Sequence, residues 1–194
     1  MAAPIQRKPQ YSMNPVKFTL WLFLVTVTML FAAFTSAMIV GRQDAIVTGK
    51  WVSFDIPFIF TLSTIIIILS SISMQWAYYS ATKNEISNIR TALLITFGLG
   101  VAFVYTQFKG YEALTLNNVF LSGNNRSASF FYVISGVHLL HIIGGLFVLL
   151  ATLYSAFRYR VHSKNLLRIN LCTTYWHFIG VLWVYLFALL SMLR

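Results

Sequence analysis

Three histidines stand in sequence that is otherwise apolar and uncharged: His138, His141 and His177. Imidazole can ligate a metal or haem iron, pass a proton, or hydrogen-bond across a helix interface. His138 and His141 are three residues apart, which puts them on one helix face. At about 1.5 Å rise per residue, His141 lies about 15 Å from the N-terminal end of its apolar run, and His177 about 9 Å from that of its own. On antiparallel neighbours in a core of about 30 Å, those depths differ by about 6 Å, so the two could face each other. A bis-histidine b-type haem is one arrangement this permits. The plainer reading makes all three structural, bonded across helices to neighbours such as Gln107, Ser135 or Tyr175. His162 lies in a polar connection and carries little information.

What is missing narrows the chemistry. The four carboxylates (Asp44, Asp55, Glu85 and Glu112) all lie outside the apolar runs, as do all 14 Lys and Arg. Proton pumping or ion-coupled transport by this chain would lack the buried carboxylate that usually holds the ion. The single cysteine, Cys172, rules out an internal disulfide and a thiolate cluster.

The elements that must position these groups are long. Five runs free of charge cover 18–40, 58–80, 92–108, 131–154 and 171–193, with lengths of 23, 23, 17, 24 and 23 residues. Each approaches the length of helix that crosses a bilayer core, and none shows a charged face. The third is short and is expected to continue toward Tyr111. Of the 194 residues 58% are hydrophobic and 9% charged, and mean hydropathy is +0.75. That excludes an ordinary soluble enzyme and a disordered chain. The spacing predicts an all-α polytopic membrane protein: a tail, 1–17, then one five-helix transmembrane domain, 18–194. The first run exceeds a signal-peptide core and follows a polar tail, so it reads as a true span.

The net charge of +10 finds its explanation in topology. Nine basic residues (Arg7, Lys8, Lys17, Lys83, Arg90, Arg158, Arg160, Lys164 and Arg168) share one side of a five-span chain, against five on the other. The positive-inside rule places the N-terminus in the cytoplasm and the C-terminus on the periplasmic or extracellular side. Arg158, Arg160, Lys164 and Arg168 then form a cytoplasmic cluster able to contact lipid headgroups. Spread in this way, the charge argues against a nucleic-acid partner. Small residues at Ala32 and Ser36, Ala33 and Ala37, and Ser73 and Ala77, with Gly98, Gly100, Gly136, Gly144 and Gly145, are expected helix-packing positions. Trp51, Trp76, Tyr78, Tyr79, Tyr105, Tyr111, Tyr159, Trp176 and Trp183 are expected in interfacial belts.

Five segments carry a resemblance. Gly136-Val137-His138-Leu139-Leu140-His141-Ile142-Ile143-Gly144 is similar to the HGxHVxxG element of subunit III of haem-copper oxidases, and Ser127-Ala128-Ser129-Phe130-Phe131 resembles its lead-in. Tyr175-Trp176-His177-Phe178-Ile179-Gly180-Val181-Leu182-Trp183 resembles the family's YWHFVDxVW element. Ile68-Leu69-Ser70-Ser71-Ile72-Ser73 is similar to its LLSSxT run, and Met29-Leu30-Phe31-Ala32-Ala33-Phe34 to the start of its corresponding helix. The resemblance extends from about residue 18 to the end, in the family's order, and five spans match its short bacterial form.

The resemblance implies a non-catalytic subunit of a bacterial inner-membrane terminal oxidase. It would bind no metal itself, leaving haem and copper to partner subunits. It would pack against subunit I, within a complex that contains subunit II and that could join a respiratory supercomplex. It would also hold structural phospholipids and support proton uptake, turnover stability and assembly. Two departures stand out. Thr26-Val27-Thr28 occupies a place where the family often has a glutamate, and Gly180 replaces the aspartate of YWHFVD. The related five-span accessory protein of nitric oxide reductase systems, and a membrane b-type cytochrome anchor, are the alternative readings.

Overall fold

In hydrocarbon a backbone finds no water, so an apolar run satisfies its own N–H and C=O groups by closing into a helix. All five runs do so. The computed structural model describes residues 14–121, 125–158 and 166–193. Its helices are α1 (Pro15–Val47), α2 (Phe58–Thr82), α3 (Ile86–Leu116), α4 (Arg126–Phe157) and α5 (Leu167–Leu193). Each is long and apolar enough to span a membrane, and no strand occurs among the described residues.

The helices outrun the apolar stretches because charged residues join their ends. The third, expected to reach about Tyr111, has 31 residues and ends at Leu116. Lys109 and Glu112, one turn apart on its extension, pair at 2.7 Å. At the other end of the chain's first helix, the Asn14 side chain accepts from Val16 N–H and Pro15 opens the first turn. Residues 1–13 of the expected tail lie outside the described residues.

Contacts along the helices define an up-and-down order. Ser73 meets Ala92, Ser63 meets Gln107, and Phe60 lies against Gly110, so α2 and α3 run antiparallel. Tyr111 meets Ser135 and Arg90 meets Ala156, which sets α4 antiparallel to α3. Helix α5 closes the square against α4 and α2, with Tyr78 beside Asn170 and Thr64 beside Trp183. Helix α1 stands outside this square and touches only α4 and α5 among the helices.

The two ends of the bundle differ. At one, Arg126 pairs with Asp44 at 2.8 Å, and Asn125 clamps the α1–α2 connection by bonding both Val52 N–H (3.2 Å) and Val52 C=O (2.9 Å). At the other, Arg90 donates to the Ala156 and Phe157 carbonyls (3.3 and 3.2 Å). It thereby serves the unpaired carbonyls at the C-terminus of α4, where the helix dipole favours a cation.

Small residues pack only in part where expected. A Cβ at Gly100 would stand 2.8 Å from Leu146, and one at Gly145 3.0 Å from Ile179 and Tyr175. Gly98, Gly136 and Gly144 face open space, while Gly110 is the tighter approach, a Cβ there falling 2.5 Å from the Phe60 ring. Ser73 and Ala77 are buried, but Ala32, Ala33, Ser36 and Ala37 face outward on α1. The cause is the position of α1: it uses Leu24, Val27, Phe31, Thr35 and Met38 against the square, which leaves the intervening residues outside.

Candidate functional site

The buried polar groups gather where four helices meet. Gln107 on α3 donates from Nε2 to Ser63 Oγ on α2 at 2.9 Å. Ser73 Oγ donates to the Ala92 carbonyl at 3.0 Å and accepts from Thr96 Oγ1 at 3.1 Å. From α5, Trp176 Nε1 donates to Ser70 Oγ and Trp183 Nε1 to Thr64 Oγ1, each at 3.0 Å. Both indoles are fully buried. Trp176 and Trp183 are therefore core anchors rather than members of an interfacial belt. A buried indole has one donor to satisfy, and a hydroxyl one helix away meets it without any charge. Trp76, Tyr79 and Tyr105 do face outward, whereas Tyr111 is half-buried and donates to Ser135 Oγ at 3.0 Å. Tyr159 lies outside the described residues.

The three histidines occupy three different environments. His138 is fully buried, yet neither ring nitrogen has a hydrogen-bond partner among the described residues. Its neighbours are rings: Trp183 stacked at 5.1 Å between centroids, and Phe31 and Phe103 edge-on at 6.0 and 6.5 Å. His141 sets Nδ1 2.8 Å from the Val137 carbonyl of its own helix. Since a carbonyl only accepts, the ring proton sits on Nδ1. It is the backbone carbonyl of His141, not the ring, that bonds α5, through Tyr175 OH at 3.0 Å. His177 turns to α2, with Nε2 3.1 Å from Gln75 Oε1. Of the expected polar group, the Gln107 and His177 side chains cross between helices. The His141 ring bonds within α4, and His138 acts by packing alone. Gln75 and the two indole anchors escaped the sequence reading. Gln75 is one polar residue in a strongly apolar run, and nothing in that run points to its partner on another helix.

The two histidines weighed as haem ligands turn toward different helices. No hydrogen bond or ring contact joins His141 to His177; one lies beside Phe31 on α1 at 5.5 Å and the other beside Gln75 on α2. No group of three or more His, Cys, Asp or Glu that could hold a metal ion occurs among the described residues.

At the basic end, Arg168 donates to Ser155 Oγ at 2.9 Å, so this residue of the expected headgroup cluster ties α5 to α4. Arg158 lies over the Tyr154 ring at 5.1 Å. Arg160 and Lys164 lie outside the described residues. Two apolar grooves mark the surface. One, between α1 and the α4–α5 pair, is lined by Leu20, Phe23, Gly144, Val148, Leu171 and Tyr175. The other runs between α2 and α5 past Gln75, His177 and Gly180.

Residues 7–193 match a family described as cytochrome c oxidase subunit III. The chain is 30% identical to cytochrome bo(3) ubiquinol oxidase subunit 3 of Buchnera aphidicola, over 90% of this chain and 92% of the relative. It is 28% identical to the protein of the same description from Pseudomonas aeruginosa, over 91% and 84%. With cytochrome c oxidase subunit 3 of Cyanidium caldarium it shares 29% identity over 89% of its length, spanning 65% of that longer relative.

Proposed function

Because the chain belongs to the cytochrome c oxidase subunit III family, and so is subunit III of a haem-copper oxidase, we propose that its part in the complex is supportive and not catalytic. It packs beside subunit I, in a complex that also holds subunit II. Haem and copper are carried by those partners. With bound phospholipid, it shapes the side of subunit I from which protons enter. The observation that supports this reading is the neutrality of the interior. Away from the two charged ends of the bundle, the polar groups linking its helices are hydroxyls, indoles, an amide and an imidazole, and no carboxylate stands among the buried residues. A proton relay through a bundle is usually built on a buried carboxylate that takes and releases charge. Hydroxyl–indole bonds fix geometry instead.

The same reading sets the basic end in the cytoplasm. Lys83, Arg90, Arg158 and Arg168 gather there, whereas at the other end Asp44 and Glu112 offset Arg126 and Lys109. A cation near an anionic leaflet contributes about 1 kcal/mol of attraction, and the apolar groove beside α1 leads from that end, next to Pro15 and Leu171. An acyl chain there would leave its headgroup among the cations. The test is an oxidase stripped of this chain. It should begin at a near-normal rate and lose activity over repeated turnovers, faster at high pH where protons are scarce. Full activity and pumping through prolonged turnover at high pH would reduce the chain to an assembly scaffold.

A further inference from the structure

Among the described residues, α1 and the connection that leaves it bond to the rest of the bundle at one end only. Asp44 accepts from Arg126 at 2.8 Å. The Arg126 N–H donates to the Lys50 carbonyl at 3.0 Å, and Asn125 bonds Val52 at both its N–H and its C=O. Before Asp44, no side chain of α1 forms a hydrogen bond to another helix. Thr19, Thr26, Thr28 and Thr35 turn back onto the Pro15, Phe23, Leu24 and Phe31 carbonyls of α1 itself.

Packing fades in the same direction. Ala45, Met38, Phe31, Val27 and Leu24 are buried, but from Pro15 to Phe23 no residue is, along about 13 Å of helix. Two apolar grooves of about 570 and 300 Å³ open there beside α5, with Leu20, Phe23 and Leu171 in the walls of both. The second reaches α4 at Gly144, where a Cβ would meet nothing within 4 Å. Across the grooves Leu20 rests on the core, and Phe23 meets the Tyr175 ring at 6.0 Å between centroids. Apolar contacts of this kind have no hydrophobic drive in lipid, because an acyl chain replaces a side chain with little change in free energy. Acyl chains offer no such substitute for the bonds at Asp44 and Val52.

We propose that α1 is a hinged arm. It is fixed where Asp44 and the following connection meet α4, and its Pro15 end swings away from α5 to admit a phospholipid acyl chain between Leu20, Phe23 and Leu171. The proposal rests on the reading of that groove as an acyl-chain site. Displacement grows with distance from the clamp, so it is greatest at Pro15–Phe23, where nothing is buried. The square of α2 to α5 keeps its own bonds throughout, among them Trp176 to Ser70, Trp183 to Thr64 and Arg168 to Ser155. Opening therefore breaks no hydrogen bond and exchanges side-chain contact for lipid contact, the kind of local motion that weakly held elements make.

The test uses the assembled oxidase in lipid nanodiscs, with spin labels on non-natural side chains at exposed positions. One pair joins Val16 to Leu94, near the movable end, and the other joins Val40 to Leu116, near the clamp (51%, 48%, 70% and 79% exposed). Leu94 and Leu116 are on α3, which α1 does not touch. Dipolar distances should be spread several-fold more widely for the first pair than for the second. Gly144→Phe, which puts a ring into the groove, should lengthen the first distance by several ångströms and leave the second unchanged. In parallel, a phospholipid with a photoreactive acyl chain should mark Leu20, Val148 or Leu171. Equal spreads for the two pairs, or an equal shift of both on Gly144→Phe, would overturn the hinge while adducts in the groove leave the lipid reading standing. No adduct at those residues would overturn the lipid reading, and the arm as a route for acyl chains with it.

Discussion

Trp183 lies flat against His138, ring centroids 5.1 Å apart and planes inclined by 30°, while its indole N–H is held by Thr64 at 3.0 Å. One side chain thus joins α5 to α4 by stacking and to α2 by a hydrogen bond. The imidazole contributes a flat face to this junction and spends no hydrogen bond.

From that geometry, His138→Phe should leave the thermal midpoint of the purified complex unchanged or raise it. The ring contacts are kept, and two buried nitrogens without partners are removed, each of the kind that costs about 1–3 kcal/mol. His138→Ala should destabilise by about 2–5 kcal/mol, through loss of packing and the cavity left behind. A His138→Phe subunit that unfolds as readily as the alanine variant would show that the nitrogens matter after all.

Gly110→Ala should weaken the α2–α3 hairpin by about 1–3 kcal/mol, because the new methyl would meet the Phe60 ring in a filled core. Gly98→Ala meets nothing within 4 Å and should be neutral or stabilising, since alanine is favoured over glycine within a helix by about 1 kcal/mol. Thermal unfolding of both variants in the same detergent checks the contrast. Equal behaviour would place the close contact elsewhere.

The orientation follows from charge alone and is open to direct assay. Alkaline phosphatase fused after Arg194 should be active, because the nine-to-five basic asymmetry predicts an external C-terminus. A cytoplasmic reporter active at the same site, with an inactive phosphatase, would invert the topology and move the basic cluster of Arg158 and Arg168 away from the side of proton entry.

The five spans were legible in the sequence because lipid imposes a single local rule. A backbone without water must bond to itself, so runs free of charge over 17 to 24 residues could only become helices. The resemblance around His138 and His177 was likewise local, carried by short motifs. Which face of each helix turns inward was not legible. In a soluble helix the apolar stripe marks the buried side, but here both sides are apolar and the stripe vanishes. Hence Trp176 and Trp183, placed at the interface by residue type, proved to be core. The small residues of α1 proved to face outward, and His177 chose Gln75 on α2 over its neighbour in the chain. Those pairings depend on which helices touch, and at what height a lone donor on one meets a lone acceptor on another. Only the packed bundle decides that, because each bond joins residues dozens of positions apart and no periodicity within a span records its partner.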